Sequence, residues 1–141
     1  MEEIKYGIAW KESYNIGYDH IDSQHRSLFG LLSDLVIACM DGNNTEKLKN
    51  AIDFLIDYTV KHFQDEEDVQ IQWSYPGYEN HKKLHEDFKV TVTDIVQRYN
   101  ENGSSSELSN ELNRVVIKWI ISHIQKEDKK IGDYIRDKQR I

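Results

Sequence analysis

Residues 45–66, TEKLKNAIDFLIDYTVKHFQDE, decide the fold. Leu48, Ile52, Leu55 and Thr59 recur at steps of three and four, the spacing that lines one face of an α-helix. Thr45 is a good N-cap at the start, and Ser74-Tyr75-Pro76-Gly77 supplies turn chemistry beyond the end. The stripe then runs on into His62 and Glu66, four residues apart and so one turn apart on the same face. A helix that turns a histidine and a glutamate toward its own core needs something there for them to hold.

Three further segments show the same period on either side of it. The first spans about Asp19 to Met40, with Leu28, Leu31, Leu32, Leu35, Val36 and Cys39 in phase, and stops at Asp41-Gly42-Asn43-Asn44. The third covers roughly Tyr78 to Tyr99 and buries Leu84, Phe88, Val92 and Ile95. A capping box of Ser104 and Glu107 opens the fourth, about Glu107 to Arg136, whose apolar band holds Leu112, Val115, Val116, Trp119, Ile120, Ile124, Ile131 and Ile135. Short links between four amphipathic helices predict an all-α, up-down-up-down antiparallel bundle over residues 19–141. Residues 1–18 stand outside this scheme, and Ile8, Trp10 and Tyr14 predict an N-terminal arm packed on the bundle.

Composition limits what this bundle can be. A chain of 141 residues with one proline is long enough for a single core and suits helices better than turn-rich strands. No apolar run approaches a bilayer span and Met1 to Trp10 lacks the features of a signal peptide, so the expected address is the cytoplasm, away from membranes. The single cysteine, Cys39, excludes an intramolecular disulfide and the multi-cysteine zinc and iron–sulfur frameworks. Lys plus Arg 18 against Asp plus Glu 25 leaves a net charge of −7, which repels nucleic acid. Any metal here is held by nitrogen and oxygen.

Five of the six histidines interrupt apolar stripes. His25 is in phase with Leu32 and Val36, His62 pairs with Glu66, His81 and His85 are one turn apart in line with Phe88 and Val92, and His123 follows Trp119 by one turn, with Glu127 and Asp128 beyond. His20 falls on the outer side of its helix. The pair His81 and His85 alone is weak evidence, because a zinc protease needs a glutamate directly after the first histidine and Lys82 stands there. Convergence from four helices is stronger. An ionised carboxylate buried without a partner costs several kcal/mol, against about 5–15 kcal/mol of net stability for a domain, so inward carboxylates call for cations. Five nitrogens and two carboxylates are too many for one tetrahedral zinc and suit two ions. Ferritin-like di-iron enzymes need Glu-x-x-His motifs, and this chain has none.

The strings Gly17-Tyr18-Asp19-His20-Ile21-Asp22-Ser23-Gln24-His25, His62-Phe63-Gln64-Asp65-Glu66-Glu67, Tyr75-Pro76 with His81 and His85, and Trp119-Ile120-Ile121-Ser122-His123-Ile124 with Asp128 resemble the hemerythrin family in its bacterial form, over nearly the whole chain. The resemblance implies one iron on His81, His85 and His123, a second on His25 and His62, and Glu66 and Asp128 as bridges beside a hydroxide or oxide. It also implies O2 as ligand at the two-histidine iron, in a pocket of Leu28, Phe63, Trp119, Ile120 and Ile124. Two departures stand out. Gln70 occupies a position where the family usually has methionine. Asp128 lies about 140° around an ideal α-helix from His123, so spacing alone favours Glu127; Asp128 requires a local reorientation, a π-bulge or a long reach. The expected function is reversible O2 binding for carriage, storage, delivery or sensing, by a binding protein rather than an enzyme. The alternative is a di-iron oxidase or peroxidase acting in detoxification of O2 or peroxide; iron storage and a signalling module are weaker readings. A monomer is favoured over an oligomer, and the sequence names no protein partner.

Overall fold

The computed structural model describes residues 10–40, 45–103 and 105–140. Four helices form an up-down-up-down antiparallel bundle, and the described residues contain no strand. Helix α1 is Asp19–Met40, α2 is Thr45–Gln72 and α3 is Tyr78–Asn102. Helix α4, residues 106–139, is continuous but irregular. It passes from α-helix (Ser106–Glu111) through a π stretch (Leu112–Ile117), α-helix (Lys118–His123) and a second π stretch (Ile124–Asp128) into Lys129–Gln139.

The helix ends follow local chemistry. Helix α3 runs past the expected Tyr99 to Asn102, because Gly103 is the residue that takes a left-handed conformation (φ 76°) and returns its N–H to the Tyr99 carbonyl at 2.7 Å. The cap of α4 differs from the expected box. Ser104 lies outside the described residues, and Ser105 Oγ accepts from the Leu108 N–H at 3.1 Å, so a leucine holds the place where a glutamate would reciprocate.

The core is in two parts along the bundle axis. The larger cluster includes Leu28, Leu32, Leu35, Leu48, Ile52, Leu55, Phe63, Ile95, Leu112, Val116, Ile120 and Ile124. A smaller one at the other end is made by Ile16, Ile21, Val69, Ile131 and Ile135. On α1 the order is Ile21, His25, Leu28; on α2 it is Phe63, Glu66, Val69; on α4 it is Ile124, Asp128, Ile131. The polar side chains therefore form one layer closed above and below by hydrocarbon.

Residues ahead of α1 pack on both parts of the core, Trp10 and Tyr14 on the larger cluster and Ile16 in the smaller one. Of the expected arm, residues 1–9, with Ile8, lie outside the described residues. Trp10 and Tyr14 meet Phe29 with ring centroids 5.2 and 5.3 Å apart. Asp22, buried on α1, accepts the backbone N–H of Ile16 at 2.7 Å and of Gly17 at 3.1 Å, and Lys129 donates to the Asn15 carbonyl at 2.8 Å. This chain path presses against α4 so closely that a Cβ on Gly132 would lie 1.9 Å from the Ile16 carbonyl oxygen.

Two glycine substitutions are expected to move stability in opposite directions. Gly132→Ala should lose about 2–3 kcal/mol, because backbone must yield, whereas Gly30→Ala, at an exposed mid-helix site with nothing within 4 Å, should gain about 0.5–1 kcal/mol. Urea denaturation of both variants checks the pair.

Candidate metal centre

Each helix contributes to the polar layer. His25 comes from α1, His62 and Glu66 from α2, His81 and His85 from α3, and His123 and Asp128 from α4, none of them more than 6% exposed. His20 is exposed and approaches Asp65 at 3.6 Å.

Helix α4 places Asp128 on the inward face by changing its winding. The Lys129 N–H returns to the Ile124 carbonyl, five residues back, so the stretch Ile124–Asp128 needs more residues per turn than an α-helix. His123 Nε2 and Asp128 Oδ1 consequently meet at 3.1 Å. Glu127, which regular spacing favours, points elsewhere and pairs with Lys130 at 2.9 Å.

The two carboxylates divide their oxygens between two groups. Glu66 Oε1 lies 2.7 Å from His81 Nε2 and 3.3 Å from His85 Nε2, and Asp128 Oδ1 lies 3.0 Å from His81 Nε2. On the other side, Glu66 Oε2 is 3.3 Å from His62 Nε2 and 3.5 Å from His25 Nε2, and Asp128 Oδ2 is 3.0 Å from His25 Nε2. Two sets of donor atoms result, each within 4.8 Å of one another: Glu66, His81, His85, His123 and Asp128 in one, His25, His62, Glu66 and Asp128 in the other. Both carboxylates belong to both sets.

Outer residues fix which ring nitrogen faces inward. Gln24 Nε2 donates to Asp65 Oδ2 at 2.7 Å, so its Oε1 is turned to accept from His62 Nδ1 at 2.8 Å. Glu67 Oε2 accepts from His85 Nδ1 at 2.8 Å. With the protons on Nδ1, the Nε2 atoms present lone pairs to the centre. Gln24 and Glu67 escaped the sequence reading, although both are in phase with apolar stripes, Gln24 with Ile21 and Leu28, and Glu67 with Phe63.

The residues fit divalent metal. His123 Nε2 lies 3.0 Å from His85 Nε2 and 3.1 Å from His81 Nε2, a convergence of ring nitrogens that one shared cation satisfies together. Glu66 Oε2, Asp128 Oδ1 and both ring nitrogens of His25 are buried without a hydrogen bond; the 3.0 Å approach of His25 to Asp128 lacks hydrogen-bond alignment. The protonation preferences agree. Burial alone would push His25 and His81 down, but Asp128 and Glu66 outweigh it and raise them to about 9 and about 10. Burial would push Glu66 and Asp128 up, yet the surrounding imidazoles hold Glu66 well below the usual carboxylate range and lower Asp128 as well, against the repulsion between the two carboxylates. Protons stand in for the positive charge that the layer demands.

The remaining residues singled out from sequence lie on the larger-cluster side. Leu28, Phe63, Ile120 and Ile124 are buried there with Trp119 packed against them. Phe63 stacks on His85 at 3.7 Å between centroids, and Trp119 on His123 at 4.4 Å. Gln70, one turn beyond Glu66, is fully buried with neither amide atom hydrogen-bonded to protein.

The family model described as Hemerythrin HHE cation binding domain matches residues 16–135. Bacteriohemerythrin of Stenotrophomonas maltophilia (strain R551-3) is 30% identical over 129 residues, covering 92% of this chain and 82% of that protein. Myohemerythrin of Theromyzon tessulatum is 29% identical over 126 residues, 89% of this chain and 92% of that protein. A crystal structure of a leucine-to-alanine mutant of hemerythrin superposes with a TM-score of 0.79 at 25% identity, covering 89% of this chain and 95% of that one.

Without metal, stability should peak at mildly acidic pH. The raised His25 and His81 stabilise the fold fully below their ordinary 6.5, and that contribution drains away as pH rises through about 9 and about 10; the lowered carboxylates stabilise it above about pH 4 and lose effect below. Urea titrations of metal-free protein are expected to show a loss on the order of a few kcal/mol between pH 6 and pH 9. Metal affinity should rise over the same interval, since metal and proton compete. Gln24→Ala should weaken metal binding by about 10–100-fold in a chelator competition, by freeing the His62 ring.

Proposed function

This chain belongs to the hemerythrin family, and from that premise we propose that it binds O2 reversibly at a non-haem di-iron centre. The observation that carries the reading is the division of oxygens just described: one oxygen of each carboxylate serves the three-histidine set and the other serves the two-histidine set. His81, His85 and His123 would hold one iron, His25 and His62 the other, with Glu66 and Asp128 across both beside a bridging hydroxide or oxide. Iron supplies the reversible exchange of electrons with O2.

The protein's part is positioning and exclusion. The three-histidine set offers five donors and the two-histidine set four, so the side of His25 and His62 is the one with room for O2. Gln24 and Glu67 keep the Nε2 lone pairs of His62 and His85 inward. Leu28, Phe63, Trp119, Ile120 and Ile124 shut out water and carry no acid or base to drive cleavage of the O–O bond. The outcome is binding without turnover, in a cytoplasmic protein serving carriage, storage, delivery or sensing.

Anaerobic reconstitution with ferrous iron, followed by cycles of O2 and argon, tests this. Two irons per chain and a visible band that appears under O2 and fades under argon are expected. Persistent colour with continued O2 consumption would replace the carrier with an oxidase; uptake of fewer than two irons would refute the di-iron reading.

A further inference from the structure

Among the described residues every lysine and arginine has a hydrogen bond, ion pair or ring contact, except three: Arg114, Lys118 and Lys126. All three line one groove of about 520 Å³ between α3 and α4. The carboxylate that influences Arg114, Glu111, is already taken by both terminal nitrogens of Arg98. The carboxylate in the groove, Glu127, is paired with Lys130. In a chain of net charge −7, three exposed cations on one surface with no hydrogen bond, ion pair or ring contact are not a by-product of composition.

Their alignment comes from the winding of α4. Positions 114, 118, 122 and 126 are four apart, and in an α-helix each such step overshoots a turn by about 40°. The π stretches Leu112–Ile117 and Ile124–Asp128 take more residues per turn and wind this drift back. The reorganisation that turns Asp128 inward thus keeps a line of cations outside.

The floor of the groove leads to the metal centre. It contains Leu84, Trp119 and the edge of His123. Trp119 stacks on His123 with an interplanar angle of 11°, and His123 Nε2 is 3.1 Å from Asp128 Oδ1, inside the three-histidine set. Three exposed cations around an aromatic floor fit a protein surface rich in Asp and Glu, and the stacked rings offer an electron a direct path inward.

We infer that this groove docks an acidic one-electron carrier protein which re-reduces the metal centre through Trp119 and His123, an inference that rests on the di-iron reading for its redox half alone. Each reduced carrier gives up one electron and no proton, so two encounters return a centre oxidised at both ions to the state competent for O2.

A flavodoxin, an acidic flavin-bearing carrier, serves as probe. Calorimetry with the iron-loaded protein should show binding that weakens with salt and falls by about tenfold or more in the Arg114→Glu, Lys118→Glu double variant. Lys49→Glu, a remote residue paired with Asp53, should leave it unchanged. Carbodiimide cross-linking should join carboxylates of the probe to Lys118 and Lys126. Reduction of the oxidised protein by reduced flavodoxin should slow in the double variant, while reduction by a small uncharged reductant should not. Binding that ignores the double variant, or cross-links confined to other lysines, would overturn the docking site. Docking as described with equal reduction rates in both proteins would overturn the electron route. Binding and cross-linking read the groove whether or not O2 is bound reversibly, so failure there is separate from failure of the di-iron reading.

Discussion

Glu66 and Asp128 are shut away from water in the middle of a helical bundle, and among the described residues the groups that approach them within ion-pair distance are all imidazoles. An ionised carboxylate so placed costs several kcal/mol unless positive charge stands beside it, and a whole domain holds only about 5–15 kcal/mol in reserve. Protonated imidazoles meet that need in part, and His123 Nε2 lies 3.0 Å from His85 Nε2 and 3.1 Å from His81 Nε2, a convergence that a shared cation satisfies at once. Two metal ions satisfy both demands. The hydrocarbon layers above and below then serve the same end, since the less water reaches the layer, the more strongly its charges act on one another.

The fourth helix bears the geometric consequence. Its sequence must supply His123 and Asp128 to one point from positions that a regular helix sets about 140° apart. The π stretch Ile124–Asp128 removes the mismatch, and Glu127 is displaced to the surface where Lys130 neutralises it. Further along, Gly132 lets the backbone of Ile16 lie against the helix, and Asp22 grips the N–H groups of Ile16 and Gly17, so the segment before α1 closes the open end of the layer. Irregularity in one helix is how a straight bundle holds a compact polar centre.

Much of this was legible as periodicity. Leu48, Ile52, Leu55 and Thr59 announce α2, and the extension of their stripe into His62 and Glu66 announces a polar interior, because helical spacing carries direction as well as conformation. The break after Met40 and the turn at Ser74 to Gly77 bound α1 and α2 for the same reason. What periodicity did not carry was deviation from the ideal helix. Leu112–Ile117 reads as an ordinary apolar band, and nothing in that pattern marks its π winding. Spacing, which assumes uniform winding, favours Glu127, whereas the likeness of the surrounding residues to a known family pointed to Asp128, the residue that faces inward. Gln24 and Glu67 were legible in principle, being polar residues in apolar phase, but the large side chains beside them, His25 and Glu66, drew the inference. The arm's grip through Asp22 had no periodic signature, since it is made by backbone N–H groups.

The arrangement of metal proposed around Glu66 and Asp128 is open to direct observation. Crystals of the iron-loaded protein, with anomalous scattering recorded at the iron edge, should show two peaks per chain, one among His81, His85 and His123 and the other beside His25 and His62, with both carboxylates shared between them. A single peak, or a second carboxylate supplied by Glu127 in place of Asp128, would contradict the account at its centre.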